Sequence, residues 1–164
     1  MKLPTLDHDR LLRQSFAVAQ RAHVNGNHPF GAILVNAHGD VLLEVENGYL
    51  PERDMTAHAE RLLATRASKE LSAQILARCT LYTSAEPCAM CAGAIYWVGI
   101  GRVVYGLSER RLRSMTGAHA ENPTLDLPCR MVFAAGQRGV EVIGPLLEDE
   151  AAALHAGVWE AGGE

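Results

Sequence analysis

The sequence predicts an α/β domain in which helices cover both faces of a mixed sheet. Segments with helical periodicity alternate with short apolar runs of strand length along the chain. Two of the predicted strands form a hairpin, whereas the later ones are separated by helical segments, as in parallel crossovers. The chain has 164 residues, of which 48% are hydrophobic and 21% charged, so it can bury one ordinary core. We therefore expect a single domain over residues 1–164.

The first half of the chain predicts a helix, a hairpin and a second helix. Apolar residues recur at helical spacing over residues 7–23. Apolar runs over residues 29–35 and 41–47 flank a turn that contains a glycine, which indicates a β-hairpin. Asp54 and Thr56 are suitable caps for the helix that follows, within the sequence HAERLLATRASKEL.

The second half alternates strands and helices. The sequence CTLYTS predicts a strand, and a helix begins directly after Pro87. The remaining predicted elements are a strand over 102–106, a short helical turn, a weaker strand over 140–144 and a final helix over 148–160. Antiparallel and parallel strand pairs together predict a mixed sheet.

Composition and charge narrow the class of protein. Fifteen basic and 19 acidic side chains give a net charge of −4, which leaves no electrostatic footprint for nucleic acid. The first ten residues are too polar for a signal peptide, and we expect a soluble cytoplasmic protein without membrane contact. In that setting four cysteines indicate metal binding or catalysis rather than disulfides.

Two cysteines and a histidine have the spacing of zinc ligands. Cys88 and Cys91 lie three positions apart at the start of a predicted helix, so both sulfurs point to one side of it. His58 lies in the first turn of another helix, and it becomes the third ligand if the two helices lie side by side. Three ligands leave one zinc coordination position open, as in a catalytic site. Glu60, two residues further on, can then accept a proton from an activated water.

Other interpretations of these motifs remain open at this point. A pair of cysteines at this spacing can be redox-active or simply packed, and a histidine near a glutamate is common on protein surfaces. A zinc-stabilised interaction domain without turnover is a further alternative, in which Cys79 or Cys129 supplies a fourth ligand. An intact Glu60 argues against that alternative.

The combination of HAE with PCAMC resembles the zinc-dependent cytidine deaminase-like superfamily. The sequences PFGAILV, TAHAE, CAGAI and GRVVYG extend the resemblance over about residues 30–106, toward small guanine deaminases and bacterial tRNA adenosine deaminases. The resemblance implies a three-layer α/β/α fold with a central five-stranded sheet. It also implies one zinc ion per chain and hydrolytic replacement of an aromatic amine by a carbonyl, with Glu60 as the catalytic proton carrier.

The resemblance also implies residues that bind the substrate. Asn47 occupies the position of a substrate-binding asparagine, and Phe30 and Trp97 occupy positions that enclose the base between aromatic rings. The backbone N–H of Ala59 is expected to donate to the substrate. Relatives commonly form homodimers, and we expect one here. His119 and Glu121 fall in a segment that covers the substrate in relatives, and His155 is expected to be exposed.

Charge favours a small substrate over RNA. No Lys or Arg follows Gly139, whereas relatives that bind an RNA stem-loop carry basic residues in the C-terminal helix. The sequence therefore predicts a deaminase of a free nucleobase or small aminated heterocycle, of the guanine or cytosine type. A tRNA-specific adenosine deaminase is the alternative.

Overall fold

The computed structural model describes residues 2–117 and 119–160, in which five strands form one mixed sheet. The strand order is β2-β1-β3-β4-β5. Strand β1 pairs antiparallel with β2 and β3, whereas β3, β4 and β5 are mutually parallel. The strands are β1 (Gly31–Val35), β2 (Val41–Glu46), β3 (Thr80–Ala85), β4 (Arg102–Leu107) and β5 (Glu141–Ile143).

Seven helices are present in the part of the chain that the structure describes. They are α1 (His8–Val24), α2 (Ala59–Glu70), α3 (Ala73–Leu76), α4 (Ala89–Val98), α5 (Glu109–Thr116), α6 (Cys129–Ala134) and α7 (Glu148–Ala153). Among these described helices none is long and apolar enough to cross a membrane.

Successive side chains of a strand point to opposite faces of the sheet, and this alternation divides the interior into two cores. On β1, Ala32 and Leu34 point to the layer that contains α2, α4 and α6. The intervening residues Ile33 and Val35 point to the opposite layer, where α1 and α7 pack. This arrangement confirms the predicted three-layer α/β/α fold with a central five-stranded sheet.

The strand directions bring three helix N-termini to one edge of the sheet. Because β2 and β3 are both antiparallel to β1, they run in the same direction, and β4 is parallel to β3. The carboxyl ends of β2, β3 and β4 therefore meet at one edge, where α2, α4 and α5 begin. Ligand sites in open α/β sheets lie at such edges.

Some predicted element boundaries were wrong. Asp54 and Thr56 do not cap α2, because His58 occupies the cap position. The Asp54 carboxylate instead accepts hydrogen bonds from the backbone N–H and hydroxyl of Thr56, at 2.8 and 2.7 Å, within the preceding turn. The final helix ends at Ala153 rather than continuing to residue 160. The short helices α3 and α6 were not predicted from sequence.

The expectation that His155 is exposed was also wrong. Its side chain is 2% exposed and lies against the Phe30 ring, with ring centroids 5.1 Å apart. Trp159 Nε1–H donates to His155 Nδ1 at 2.9 Å, which requires the neutral imidazole. Burial, with a smaller contribution from nearby His28, lowers the pKa of His155 to about 4.

Burial of His155 predicts a loss of stability in mild acid. In the unfolded chain, the His155 imidazole binds a proton below its ordinary pKa of 6.5. In the folded chain, the same imidazole stays neutral down to about pH 4. Between pH 7.5 and 5, the wild type should lose roughly 2 kcal/mol of unfolding free energy more than His155→Asn, which keeps an acceptor for Trp159 but does not titrate. Urea unfolding of both proteins at the two pH values measures this difference. Parallel pH profiles would contradict the assignment.

Candidate active site

The predicted metal ligands meet at the sheet edge where α2 and α4 begin. His58 precedes α2, Cys88 occupies the cap position of α4, and Cys91 lies in its first turn. His58 Nδ1 is 3.5 Å from Cys88 Sγ and 3.6 Å from Cys91 Sγ. All three ligand atoms lie within 4.8 Å of one another. Two distant segments of sequence thus form one compact donor set.

The electrostatics of this cluster favour a metal cation. The hydrogen bond from the Cys91 thiol, aided by His58, lowers the pKa of Cys88 to about 4, so this sulfur is a thiolate, the metal-binding form. The same hydrogen bond and burial raise the pKa of Cys91. One imidazole nitrogen and two sulfurs match the donor preference of zinc.

The donor set has three members among residues 2–117 and 119–160. Neither Cys79 nor Cys129 belongs to it, although both are buried free thiols. A fourth protein ligand from these cysteines, as the interaction-domain alternative requires, is therefore not provided by the described residues. Three protein ligands with an open position are the pattern of a catalytic zinc site.

Glu60 lies in the wall of a cavity beside these ligands and is only 5% exposed. The Thr83 hydroxyl donates to Glu60 Oε1 at 2.8 Å, which fixes the carboxyl group. Burial raises the pKa of Glu60, and the nearby His58 opposes this effect. Thr83 was not singled out from the sequence, because its position next to Glu60 follows only from the packing of β3 against α2.

The cavity has a volume of about 330 Å³, at the small end of the range for ligand pockets. Its charged lining is acidic, and no Lys or Arg lines it among the residues that the structure describes. The acidic lining residues are Asp54, Glu60, Glu86, Glu109 and Glu121.

Three of the four predicted substrate residues lie at or next to the cavity. Phe30 and Asn47 line it. The Asn47 amide oxygen accepts the Tyr49 backbone N–H at 3.0 Å, and its amide nitrogen remains without a partner in the described structure. Ala59 is fully buried and provides the first backbone N–H of α2, which has no acceptor among the described residues.

The structure places Trp97 elsewhere. Its side chain is 83% exposed on the outer face of α4, packs edge-on against Tyr96, and is not part of the cavity lining. Trp97 therefore does not line the cavity of its own chain, and its contact with a base stays a prediction. The reason is helical geometry, because Cys91 and Ile95 face inward from α4 and position 97 turns away from them.

A cluster of aromatic rings supports Phe30 from outside the cavity. Trp159 is 8% exposed and contacts the rings of His28, Phe30 and His119 at centroid distances of 4.9, 6.2 and 5.3 Å. His28 Nε2 pairs with Glu121 Oε2 at 2.8 Å. The segment predicted to cover the substrate therefore contributes Glu121 to the cavity, whereas His119 packs on Trp159.

Glu86 joins two further helices to the site. One of its carboxylate oxygens accepts the Glu109 backbone N–H at 3.0 Å, and the other accepts the Cys129 backbone N–H at 2.9 Å. These are the first N–H groups of α5 and α6, so Glu86 caps both helices at once. Its place directly before Pro87 and Cys88 is the only sequence signal that could have indicated it.

Comparison with known proteins connects this geometry to a chemistry. Residues 5–107 match the family model of the cytidine and deoxycytidylate deaminase zinc-binding region. A probable cytosine deaminase from Schizosaccharomyces pombe is 42% identical over 154 residues, which cover 92% of this chain and 91% of that protein. A tRNA-specific adenosine deaminase from Haemophilus influenzae is 36% identical over 101 residues, covering 62% of this chain and 58% of that protein.

Solved structures share the fold. A guanine deaminase from Nitrosomonas europaea superposes with a TM-score of 0.72 at 25% identity, and the match covers 93% of this chain and 84% of that one.

The ligand assignment predicts the metal content of variants. Cys88→Ser and Cys91→Ser should each lose most of the bound zinc, because a neutral hydroxyl replaces a soft sulfur ligand. Elemental analysis of the purified proteins, normalised to protein concentration, measures the loss against a wild type that carries close to one zinc per chain. Cys79→Ala is the matched control and should retain its zinc, since Cys79 lies outside the cluster. Full zinc occupancy in both serine variants would overturn the assignment.

Proposed function

This chain belongs to the family defined by the cytidine and deoxycytidylate deaminase zinc-binding region, and we propose that it deaminates a free nucleobase, cytosine or guanine, by hydrolysis. One observation carries the proposal. A His-Cys-Cys donor set and the buried carboxyl group of Glu60 lie at the same small cavity, which has no Lys or Arg in its described lining.

The proposed roles of the residues follow from their positions. His58, Cys88 and Cys91 hold the zinc, which when bound supplies a Lewis acid that activates water near neutral pH. Glu60 accepts a proton from the attacking water and delivers it to the ring nitrogen. It then accepts the second proton, from the new hydroxyl group on the ring carbon, and delivers it to the departing amine. The hydrogen bond from Thr83 holds the Glu60 carboxyl group in place for these transfers. The amine leaves as ammonia, and a carbonyl replaces it.

Binding of the base is assigned to groups that the fold leaves available. The Phe30 ring offers an apolar face to a planar ligand. The Asn47 amide nitrogen and the Ala59 backbone N–H are donors without described protein acceptors, so they can bind acceptors on the edge of the base. A cavity of about 330 Å³ suits one base with these contacts.

Charge supports a free base over RNA. An enzyme that grips an RNA stem-loop needs cationic side chains along the phosphates. The described cavity lining has five carboxyl groups and no Lys or Arg, and the chain has none from Gly139 onward. Cytosine is the first substrate to test, because a probable cytosine deaminase matches this chain over nearly the whole length of both proteins. A cytoplasmic location suits the four free thiols.

A substrate panel tests the proposal. At low salt, where attraction to phosphate is strongest, the protein is offered equal concentrations of cytosine, guanine and an adenosine-containing anticodon stem-loop. We expect ammonia release from cytosine or guanine and no inosine in the RNA. Inosine in the stem-loop without product from either free base would establish the tRNA alternative instead.

Glu60→Gln is the control for this panel. It keeps the shape of the side chain, so zinc content should be retained, but it removes the proton carrier and should lower turnover by about 10²- to 10⁴-fold. Loss of zinc in proportion to activity would show that Glu60 is a ligand.

We also propose that the protein is a homodimer. The outer face of α4 carries no charged residue and exposes Met90 and Trp97, which are 36% and 83% exposed. Trp and Met are enriched at interfaces between proteins. Met90 also lines the cavity, so a second copy seated on this face would lie beside the cavity mouth.

The dimer proposal predicts a change of mass in solution. Trp97→Glu should convert a dimer into a monomer, because it places a charge at the centre of an apolar interface. Sedimentation equilibrium of wild type and variant measures the change, with exposed Val24→Glu on the distant helix α1 as the control. A monomeric wild type, or a dimer that Trp97→Glu does not disturb, would refute the interface.

A further inference from the structure

Glu109 is a buried carboxyl group in the cavity wall that the proposed chemistry does not use. It is the first residue of α5, at the same sheet edge as the zinc ligands, and it is 6% exposed. Its backbone N–H is bound by Glu86. Its side chain makes no hydrogen bond to any residue that the structure describes.

The other acidic residues of the cavity differ from Glu109 in this respect. Each has a polar partner in the described structure. The partners are Thr56 for Asp54, Thr83 for Glu60, backbone N–H groups for Glu86 and His28 for Glu121. Among the described residues, His155 Nε2 is the one fully buried side-chain polar atom without a partner, so the Glu109 oxygens are open to the cavity rather than enclosed by protein. The open side of Glu109 is the cavity, which makes a ligand the available partner.

The surroundings of Glu109 define the chemistry of that partner. Burial, together with the acidic groups Cys88, Glu86 and Glu60, raises the pKa of Glu109 to about 8, and His58 opposes this effect. Glu109 lines the same cavity as the zinc ligands His58 and Cys88 and the proton carrier Glu60. A ligand group that fits between these acceptors has to be a hydrogen-bond donor with positive character.

We propose that Glu109 is a specificity-determining residue that accepts a hydrogen bond from the amine to be released. The inference rests on the proposed function, in which the amine-bearing carbon is held at the zinc end of the cavity. The amine donates two N–H groups in the bound base and gains positive charge as Glu60 protonates it. A second carboxyl group at this position stabilises the amine more as it leaves, and it offers nothing to the carbonyl of the product.

Paired ligands with and without the amine test this role. The holoenzyme is assayed for kcat/KM with cytosine and for inhibition by uracil, or with guanine and xanthine if guanine is the base turned over. Glu109→Leu should lower kcat/KM by about 10- to 100-fold, the loss of a charge-assisted hydrogen bond. The inhibition constant of the amine-free product should change less than about twofold. Glu109→Gln keeps an acceptor without the charge and should lie between Glu109→Leu and the wild type.

Glu148→Gln is the matched control. The Glu148 carboxylate accepts the Ser108 backbone N–H at 2.8 Å, so this variant also removes a charge from the start of α5, but outside the cavity. It should leave both ligands unaffected. Zinc content and melting temperature are measured for every variant, and Glu109→Gln decides the matter if Glu109→Leu does not fold.

Equal weakening of both ligands, loss of zinc, or unchanged kcat/KM in the Glu109 variants would overturn the inference. These results are distinguishable from failure of the proposed function. If the wild type turns over no free base, the function itself is refuted and the role of Glu109 with it. If the wild type turns over a base while the variants show no selectivity for the amine, only the role of Glu109 is refuted.

Discussion

The approach of His58 to two cysteine sulfurs, at 3.5 and 3.6 Å, depends on the direction of the central strands. Strands β2 and β3 end at the same edge, and β1 between them runs the opposite way. Helices α2 and α4 therefore start side by side, and a residue at the start of each one faces the other. Reversal of either strand would place the ligands at opposite edges of the sheet, about one strand length apart.

The same arrangement concentrates negative charge that the fold must compensate. Glu60, Glu86 and Glu109 are 5%, 7% and 6% exposed, and they line the same cavity as Cys88. Thr83 satisfies the first, and the N-termini of α5 and α6 satisfy the second. A zinc ion would balance part of the remaining charge, which links metal binding to stability as well as to chemistry.

Motif spacing along the chain was sufficient to predict the order of the main elements and the metal-ligand cluster, whereas the other contacts between distant segments were not predictable. The helices α3 and α6 contain only four and six residues, too few for periodicity to detect. Trp97 and Trp159 are both tryptophans near predicted helix ends, but one is 83% exposed and the other 8%. Which of them lies near Phe30 depends on the packing of the C-terminal segment, which brings His155 and Trp159 against the Phe30 ring. The sequence around Glu109 is typical of an exposed helix start. The burial of Glu109 depends on Glu86 and on the parallel pairing of β3 with β4.

The part of the chain that matches the family model and the part that follows it contribute different groups to the site. The proposed zinc ligands and proton carrier all lie within residues 5–107, which match the family model. The later part supplies Glu109, Leu112 and the lining residues from Glu121 to Leu125, and it supports Phe30 through His155 and Trp159. In the proposed function, the first part fixes the reaction and supplies Phe30, Asn47 and Ala59 to the base, and the second part shapes the rest of the space that the base fills. Relatives can therefore share the reaction while differing in substrate, since the lining residues of the second part can change without moving the metal ligands.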